Sequence, residues 1–334
     1  MSQLILTTVG GDPADIVSLR QNPDTAPGAE EVLVAVEAAP INPADLSFQQ
    51  GWFGVYPQLP QPLGAEGVGR VLAVGSAVDQ GLVGRRVLIL PTFVQGTWAA
   101  RTVVPARNVV PVSEHADPAQ LAMLPVNPAT AYALLNEYVA VKPGDWVGVD
   151  LANSGVGQYL VQLARAAGIR TLAIVRREEA AQQVRGLGAD AVLLDGEGLG
   201  DRIAETLGGA QLRVFFEGTG GPEKLAEVVP SVEYGGAVVT FAAATGRSPV
   251  VPVGDLFYRR ISLHSFYILA WLQQTPRARL TEIYTELAAL VERGELHAAV
   301  EATYPLDRYR EALAHAARPE RSGKVLFTPI QPTA

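Results

Sequence analysis

Between residues 146 and 242, short apolar runs alternate with stretches of helix formers, and this alternation limits the possible folds more than any other feature of the chain. The runs 146–151, 171–175, 191–194, 213–217 and 237–242 have the length and the Val, Ile and Leu content of buried strands. Between them, 156–167, 178–187, 200–207 and 222–229 carry apolar residues at helical spacing. Strands joined through helices run parallel, because each helix returns the chain to the end of the sheet it left. A sixth candidate strand, 261–267, closes the series. The alternation therefore predicts an α/β fold with a doubly wound parallel sheet.

The rest of the chain has a different texture. From Glu31 to Val110, runs such as Val32-Leu33-Val34-Ala35-Val36 and Arg86-Val87-Leu88-Ile89-Leu90 are broken by Gly and Pro, which reads as an irregular β domain. Helix formers at 118–124 and 130–138 mark the passage from that domain to the alternating one. Helices predicted near 278–293 and 308–317, and a last strand at 324–327, do not continue the alternation and are assigned back to the first domain. At 334 residues the chain is long enough for two cores, since one core stops growing near about 250–300 residues. The predicted division is 1–120 with 268–334, and 121–267 between them.

Composition removes several kinds of chemistry. With no Cys there is no thiolate nucleophile, disulfide, iron–sulfur cluster or sulfur-ligated zinc, and the four His show no metal spacing, so no metal site is expected. A net charge of −8 argues against nucleic acid as a partner. No apolar run reaches the roughly 18–20 residues needed to span a bilayer. The start, Met1-Ser2-Gln3-Leu4-Ile5-Leu6, lacks the basic opening and long apolar core of a secretory signal, and a cytoplasmic setting is expected.

The first strand of the alternating series runs into Leu151-Ala152-Asn153-Ser154-Gly155-Val156-Gly157-Gln158, which opens a helix. Small residues at such a turn let the backbone approach a pyrophosphate, and free N–H groups at the helix start stabilise its charge. Ala152 and Ser154 stand at two of the three glycine positions of the Rossmann fingerprint, so the loop alone also fits an ordinary strand-to-helix turn. With a strand before it, a helix after it and a second strand about 20 residues on, it reads as a dinucleotide loop using Ser154, Gly155, Val156 and Gly157. The second strand ends in Arg176-Arg177, where NAD enzymes carry an acid for the ribose hydroxyls. A guanidinium there suits a ribose 2′-phosphate, which makes NADPH the expected cofactor; the alternative is a pair of solvated loop arginines.

The segments Ala39-Pro40-Ile41-Asn42-Pro43-Ala44-Asp45-Leu46, Gly64-Ala65-Glu66-Gly67, Gly96-Thr97-Trp98, Leu124-Pro125-Val126-Asn127-Pro128-Ala129-Thr130-Ala131-Tyr132, Asn153-Ser154-Gly155-Val156-Gly157-Gln158 and Gly323-Lys324-Val325-Leu326 occur in an order and spacing that resemble one family. The chain is similar to medium-chain dehydrogenases/reductases of the zinc-independent quinone oxidoreductase and 2-enoyl thioester reductase branch. The resemblance implies a Rossmann domain inserted into a GroES-like catalytic domain, with the nicotinamide in the cleft between them. Zinc-bearing members hold their metal through Cys and through the His of a Gly-His-Glu motif, which here reads Gly64-Ala65-Glu66. What remains is hydride transfer from NADPH to a conjugated acceptor, a quinone or an α,β-unsaturated carbonyl compound.

The same resemblance suggests site residues. Asn42, and less directly Asp45, resemble residues lining the nicotinamide cleft, although Asn before Pro43 also opens turns. Thr130 falls where the family places a residue beside the nicotinamide, and Phe241 and Tyr267 join the cofactor contacts. The tyrosine that enoyl thioester reductases use falls at Phe53, which has no hydroxyl to give, leaving Tyr56 either to supply one or to pack the cleft wall. Trp98, Tyr267 and Trp271, with Phe53 and Tyr56, are candidates for an aromatic substrate wall, core packing being the alternative for each. Lys324 resembles a family lysine near the cleft but reads more simply as a surface lysine. Competing functions are a true enoyl-CoA or enoyl-ACP reductase and, in another class, a catalytically silent NADPH-binding sensor. The strand 261–267, free of Lys, Asp, Glu and Pro, is expected to lie at the sheet edge and to pair with a second copy in a homodimer.

Overall fold

The computed structural model describes residues 1–329 apart from 22, 24, 52 and 320. The chain divides into two compact units, Met1–Val126 with Thr275–Ala334, and Asn127–Gln274.

In the first unit the strand Glu31–Pro40 is the spine. It pairs antiparallel with Gly67–Val74 on one side, and with Arg101–Pro105 and Lys324–Phe327 at its two ends. Arg86–Ile89 and Val109–Pro111 extend the sheet one way, and Val300–Tyr304 extends it the other, parallel to Lys324–Phe327. A smaller sheet joins Val17–Gln21, Ser2–Leu6 and Gln61–Pro62. The helix Arg277–Glu292 buries Leu280, Ile283, Tyr284, Leu287, Ala288 and Val291, the three- and four-residue spacing of a single face. Glu31–Pro40 reaches its end at Pro40 because Ile41-Asn42-Pro43 turns the chain into a short helix, Pro43–Gln49, with proline at its first position.

The second unit holds six strands, all parallel, in the order Ala191–Leu194, Arg170–Val175, Trp146–Val149, Leu212–Glu217, Val232–Thr240, Ser262–Ser265. Burial explains why these strands carry apolar runs rather than alternation: Thr171 to Val175 are all buried, as helices cover both faces. Leu172, Ile174, Leu199, Ile203, Leu207, Phe215, Leu225 and Val238 form one core cluster. The chain order reverses between Trp146–Val149 and Leu212–Glu217, and in such sheets ligands bind beyond the carboxyl ends of the strands at that reversal.

Two local expectations change. The sixth strand pairs only over Ser262–Ser265, since Tyr267 already accepts the first helical hydrogen bond, from Trp271, ahead of the helix Ile268–Gln274. The strand Val300–Tyr304 was not predicted; its exposed Glu301 and Thr303 break any apolar run. Among the described residues no helix is long and apolar enough to cross a membrane.

Candidate active site

Within Asn127–Gln274, the dinucleotide candidates gather at the carboxyl end of Trp146–Val149. The chain leaves that strand through Leu151, whose φ of +47° is left-handed and rare for a residue with a side chain. This sharp turn sets Ser154 as the cap of the helix Gly155–Ala166, its hydroxyl accepting from the Gly157 N–H at 3.1 Å. The Gly155 and Val156 N–H groups, next in line at the helix start, have no partner among the described residues. A Cβ at Gly157 would stand 2.6 Å from the Ala152 Cα and the Leu151 carbonyl oxygen, so the helix lies against the loop at a distance only glycine allows. The Asn127 side chain fills the space over Gly155, and Thr130 is buried one turn further along the same helix, Asn127–Asn136.

Arg176 and Arg177 follow Arg170–Val175 directly and are exposed, Arg177 standing immediately before the helix Glu178–Gly186. Glu178 pairs with Arg185 at 2.6 Å on that helix. Phe241 leaves Val232–Thr240 with its ring over Gly218, where a Cβ would come within 2.7 Å of it. Tyr267 and the half-buried Trp271 sit around the start of Ile268–Gln274, with Trp271 stacked at a tilt on Phe266, centroids 6.2 Å apart.

Three charged residues here escaped the sequence reading. Asp150 ends the first strand in full burial, its Oδ1 accepting from the Gly218 N–H at 2.6 Å. Glu217 ends Leu212–Glu217, also buried, and accepts from the Gly220 N–H. Burial pushes both carboxyls upward, against the Lys224 ammonium, which pulls them down. Lys224 lies 3.4 Å from Asp150 and 2.7 Å from Asp195. The legible trace was an acid closing each of two apolar strands at the same end of the sheet.

In the other unit, Asn42 caps Pro43–Gln49 and is almost wholly buried. Asp45 reaches back to the Asn42 N–H at 2.8 Å and also accepts from the Ala65 N–H at 3.1 Å. The Asn42 amide turns elsewhere: its Nδ2 donates to Glu66 at 2.6 Å, and its Oδ1 accepts from the Lys324 ammonium at 2.6 Å. The second Glu66 oxygen accepts from the Val126 N–H at 2.8 Å. A cation on one side and a carboxylate on the other thus hold the amide in a single orientation. Lys324 is not a surface lysine: its strand is covered on both sides, by Val300–Tyr304 and Glu31–Pro40, and its side chain is buried. In sequence Glu66 stands only as the remnant of a zinc motif; nothing local announces its partners, which lie 24 and 60 residues away.

Burial raises Asp45 to about 7, opposed by the Asn42 and Ala65 N–H donors; it also pushes the Glu66 carboxyl up and the Lys324 ammonium down, each opposed by their mutual attraction. For Asp45 the folded chain binds its proton more tightly than the unfolded chain, so its contribution to stability is complete below about pH 4 and is lost as pH rises to about 7. Asp45→Asn, which cannot ionise, is expected to be less stable than the parent but to show a flatter dependence between pH 4 and 7. Urea midpoints at several pH values check this, and parallel curves for the two proteins would contradict it.

The remaining aromatic candidates separate. Trp98 has no exposed surface: its Nε1 donates to the Pro40 carbonyl at 3.1 Å and its ring lies 5.3 Å from that of Phe327. It supports the turn into Asn42 and offers no face to a ligand, so it leaves the proposed substrate wall. Phe53 packs on Phe93 with centroids 4.8 Å apart, whereas Tyr56 is 67% exposed and lies against Gly51.

Comparison with known proteins agrees with this architecture. The sequence model of the alcohol dehydrogenase GroES-like domain matches residues 28–114, and that of the zinc-binding dehydrogenase matches residues 155–288. A mitochondrial enoyl-[acyl-carrier-protein] reductase of Xenopus tropicalis is 32% identical over 325 residues, covering 95% of this chain and 92% of that protein. The Homo sapiens protein of the same name is 31% identical, covering 95% and 86%. Among solved structures, a quinone oxidoreductase of Pseudomonas syringae pv. Tomato DC3000 superposes with a TM-score of 0.85 at 27% identity, covering 98% of this chain and 99% of that one. With a relative this similar along nearly its whole length, and with Ala65 in place of a zinc-ligating His in a sequence without Cys, the chain belongs to the medium-chain dehydrogenase/reductase superfamily of oxidoreductases, in its zinc-independent branch.

Proposed function

We propose that this oxidoreductase uses NADPH to reduce a quinone or the conjugated double bond of an α,β-unsaturated carbonyl compound. The observation that carries the reading is one strand–helix–strand unit that supplies two free N–H groups at Gly155 and Val156 and an exposed guanidinium at Arg176. The N–H groups suit a pyrophosphate and Arg176 suits a ribose 2′-phosphate. Bound, the cofactor supplies the hydride. Ser154, Gly157, Arg177, Thr130, Phe241 and Tyr267 are the further residues assigned to holding it. Asn42, its amide fixed by Glu66 and Lys324, is the polar group assigned to orient the acceptor carbonyl, and Tyr56 carries the exposed hydroxyl from which a proton can reach the product. Phe53 in one unit, and Tyr267 and Trp271 in the other, are the aromatic candidates for acceptor contact.

A second reading, reduction of 2-enoyl thioesters, is favoured by the names of the relatives. An assay of NADPH consumption with 1,4-benzoquinone, 9,10-phenanthrenequinone and crotonyl-CoA separates the two. NADPH binding without turnover of any acceptor would favour a sensor. Binding of NADPH at least about tenfold tighter than NADH is expected, with Arg176→Ala removing most of the difference, since a charge-assisted bond contributes roughly 1.5–3 kcal/mol. Equal dissociation constants in the parent protein would refute the cofactor assignment.

The assembly proposed is a homodimer through the edge strand Ser262–Ser265. Around that edge Leu263, Val253, Phe257 and Tyr258 are exposed, Phe257 by 75% and Tyr258 by 84%. Part of the edge is already engaged, the Ser265 carbonyl accepting from the Tyr138 hydroxyl at 2.8 Å. Light scattering is expected to report about twice the 35.4 kDa chain mass; a single chain mass at tens of micromolar would contradict pairing.

A further inference from the structure

We propose that Lys224 is a cofactor-discriminating residue, whose ammonium forms, together with Arg176, the cationic seat for the 2′-phosphate of the adenosine ribose. The inference rests on the NADPH reading above and adds to it a residue remote in sequence from the Rossmann fingerprint.

The position of the ammonium follows from sheet geometry. Asp150 follows Trp146–Val149 and Asp195 follows Ala191–Leu194, and between those strands lies Arg170–Val175. Strands two apart are separated by about 9–10 Å. Lys224 Nζ lies 2.7 Å from Asp195 Oδ2 and 3.4 Å from Asp150 Oδ2, so it stands over the carboxyl end of the strand between them. Thr219 Oγ1 accepts from it at 3.0 Å and fixes it from a third side. The Asp195 N–H donates to the Val175 carbonyl at 2.7 Å, which sets Asp195 beside Arg176. The end of this strand is where a Rossmann fold reads the adenosine ribose, with an acid for NAD or a cation for NADP.

Asp195 alone would make that place hostile to a phosphate. The parallel register Val175↔Leu194 carries Asp195 alongside Arg176, and its side chain is 27% exposed. Lys224, 12% exposed, offsets the Asp195 charge and puts an ammonium at the strand end. Asp150, wholly buried and 3.4 Å away, is the more distant of the two acids, so Asp195 at 2.7 Å is the nearer counter-charge to the ammonium. Lysine and carboxylate then act in opposite directions on a phosphate: one attracts it, and the other competes for the same ammonium.

The test is titration calorimetry of the full chain with NADPH and NADH, for the parent, Lys224→Met, Lys224→Arg and Asp195→Asn. Lys224→Met is expected to weaken NADPH at least about tenfold, the scale of one charge-assisted bond, while leaving NADH within about twofold. Lys224→Arg should keep most of the preference. Asp195→Asn should raise the preference for NADPH above that of the parent, because it frees the ammonium; a residue that only supports the loop would weaken both cofactors instead. Should Lys224→Met fail to fold, Lys224→Arg and Asp195→Asn still decide. Equal losses for NADPH and NADH in Lys224→Met, or a lower preference in Asp195→Asn, would overturn the inference. If the parent prefers NADPH and Arg176→Ala abolishes that preference while Lys224→Met does not, only this inference falls. A parent without preference would remove the NADPH reading as well.

Discussion

Lys324→Met is expected to destabilise the protein by about 3–5 kcal/mol, the cost of removing one partner from a buried set of charges. The ammonium is the cation that faces both Glu66 and Asp45, and it donates to Asn42 at 2.6 Å. Without it, two buried carboxyls remain together with an Asn42 oxygen that has lost its charged donor. The carboxyls can then escape their cost by taking up protons, so the loss should shrink as pH falls toward 5. Chemical denaturation at pH 5 and pH 8 measures both the size and the trend. A loss below about 1 kcal/mol at pH 8, within the range of an exposed ion pair, would show that water already screens the cluster.

Gly157→Ala should abolish dinucleotide binding and destabilise by about 1–3 kcal/mol, the usual range for overpacking. The added Cβ meets the Ala152 Cα and the Leu151 carbonyl oxygen, both at 2.6 Å, and backbone cannot turn aside as a side-chain tip can. The helix start must then move off the loop, taking the free N–H groups with it. Gly186→Ala is the control: it also lies in a helix, nothing stands within 4 Å of the added Cβ, and a gain of about 0.5 kcal/mol is expected from helix propensity. Thermal unfolding of both variants, with NADPH titration, distinguishes a steric effect at residue 157 from a general sensitivity to alanine. Unchanged cofactor affinity in Gly157→Ala would mean that the loop does not hold the dinucleotide.

What the sequence determined by itself was the architecture and the loop. Apolar runs of strand length joined by helical stretches allow only a parallel sheet, and a strand, small-residue turn and helix start in succession mark where the proposed phosphate loop lies. Both are local patterns, written in residues within a few positions of one another. The strand Val300–Tyr304 escaped because its exposed polar residues interrupt the pattern, and its pairing depends on a strand more than 20 residues later. The charged clusters escaped for a stronger version of the same reason. A lysine in sequence carries no mark of its surroundings, and Lys324 reads as a surface residue until the fold brings Asn42, 282 positions earlier, to its ammonium. Lys224 likewise gains its place over the end of a strand only because the sheet order sets Asp150 and Asp195 on either side of it. Hydrophobic periodicity repeats along the chain and can be read there, whereas the partner of a buried charge is chosen by distance in space, which only the tertiary structure decides.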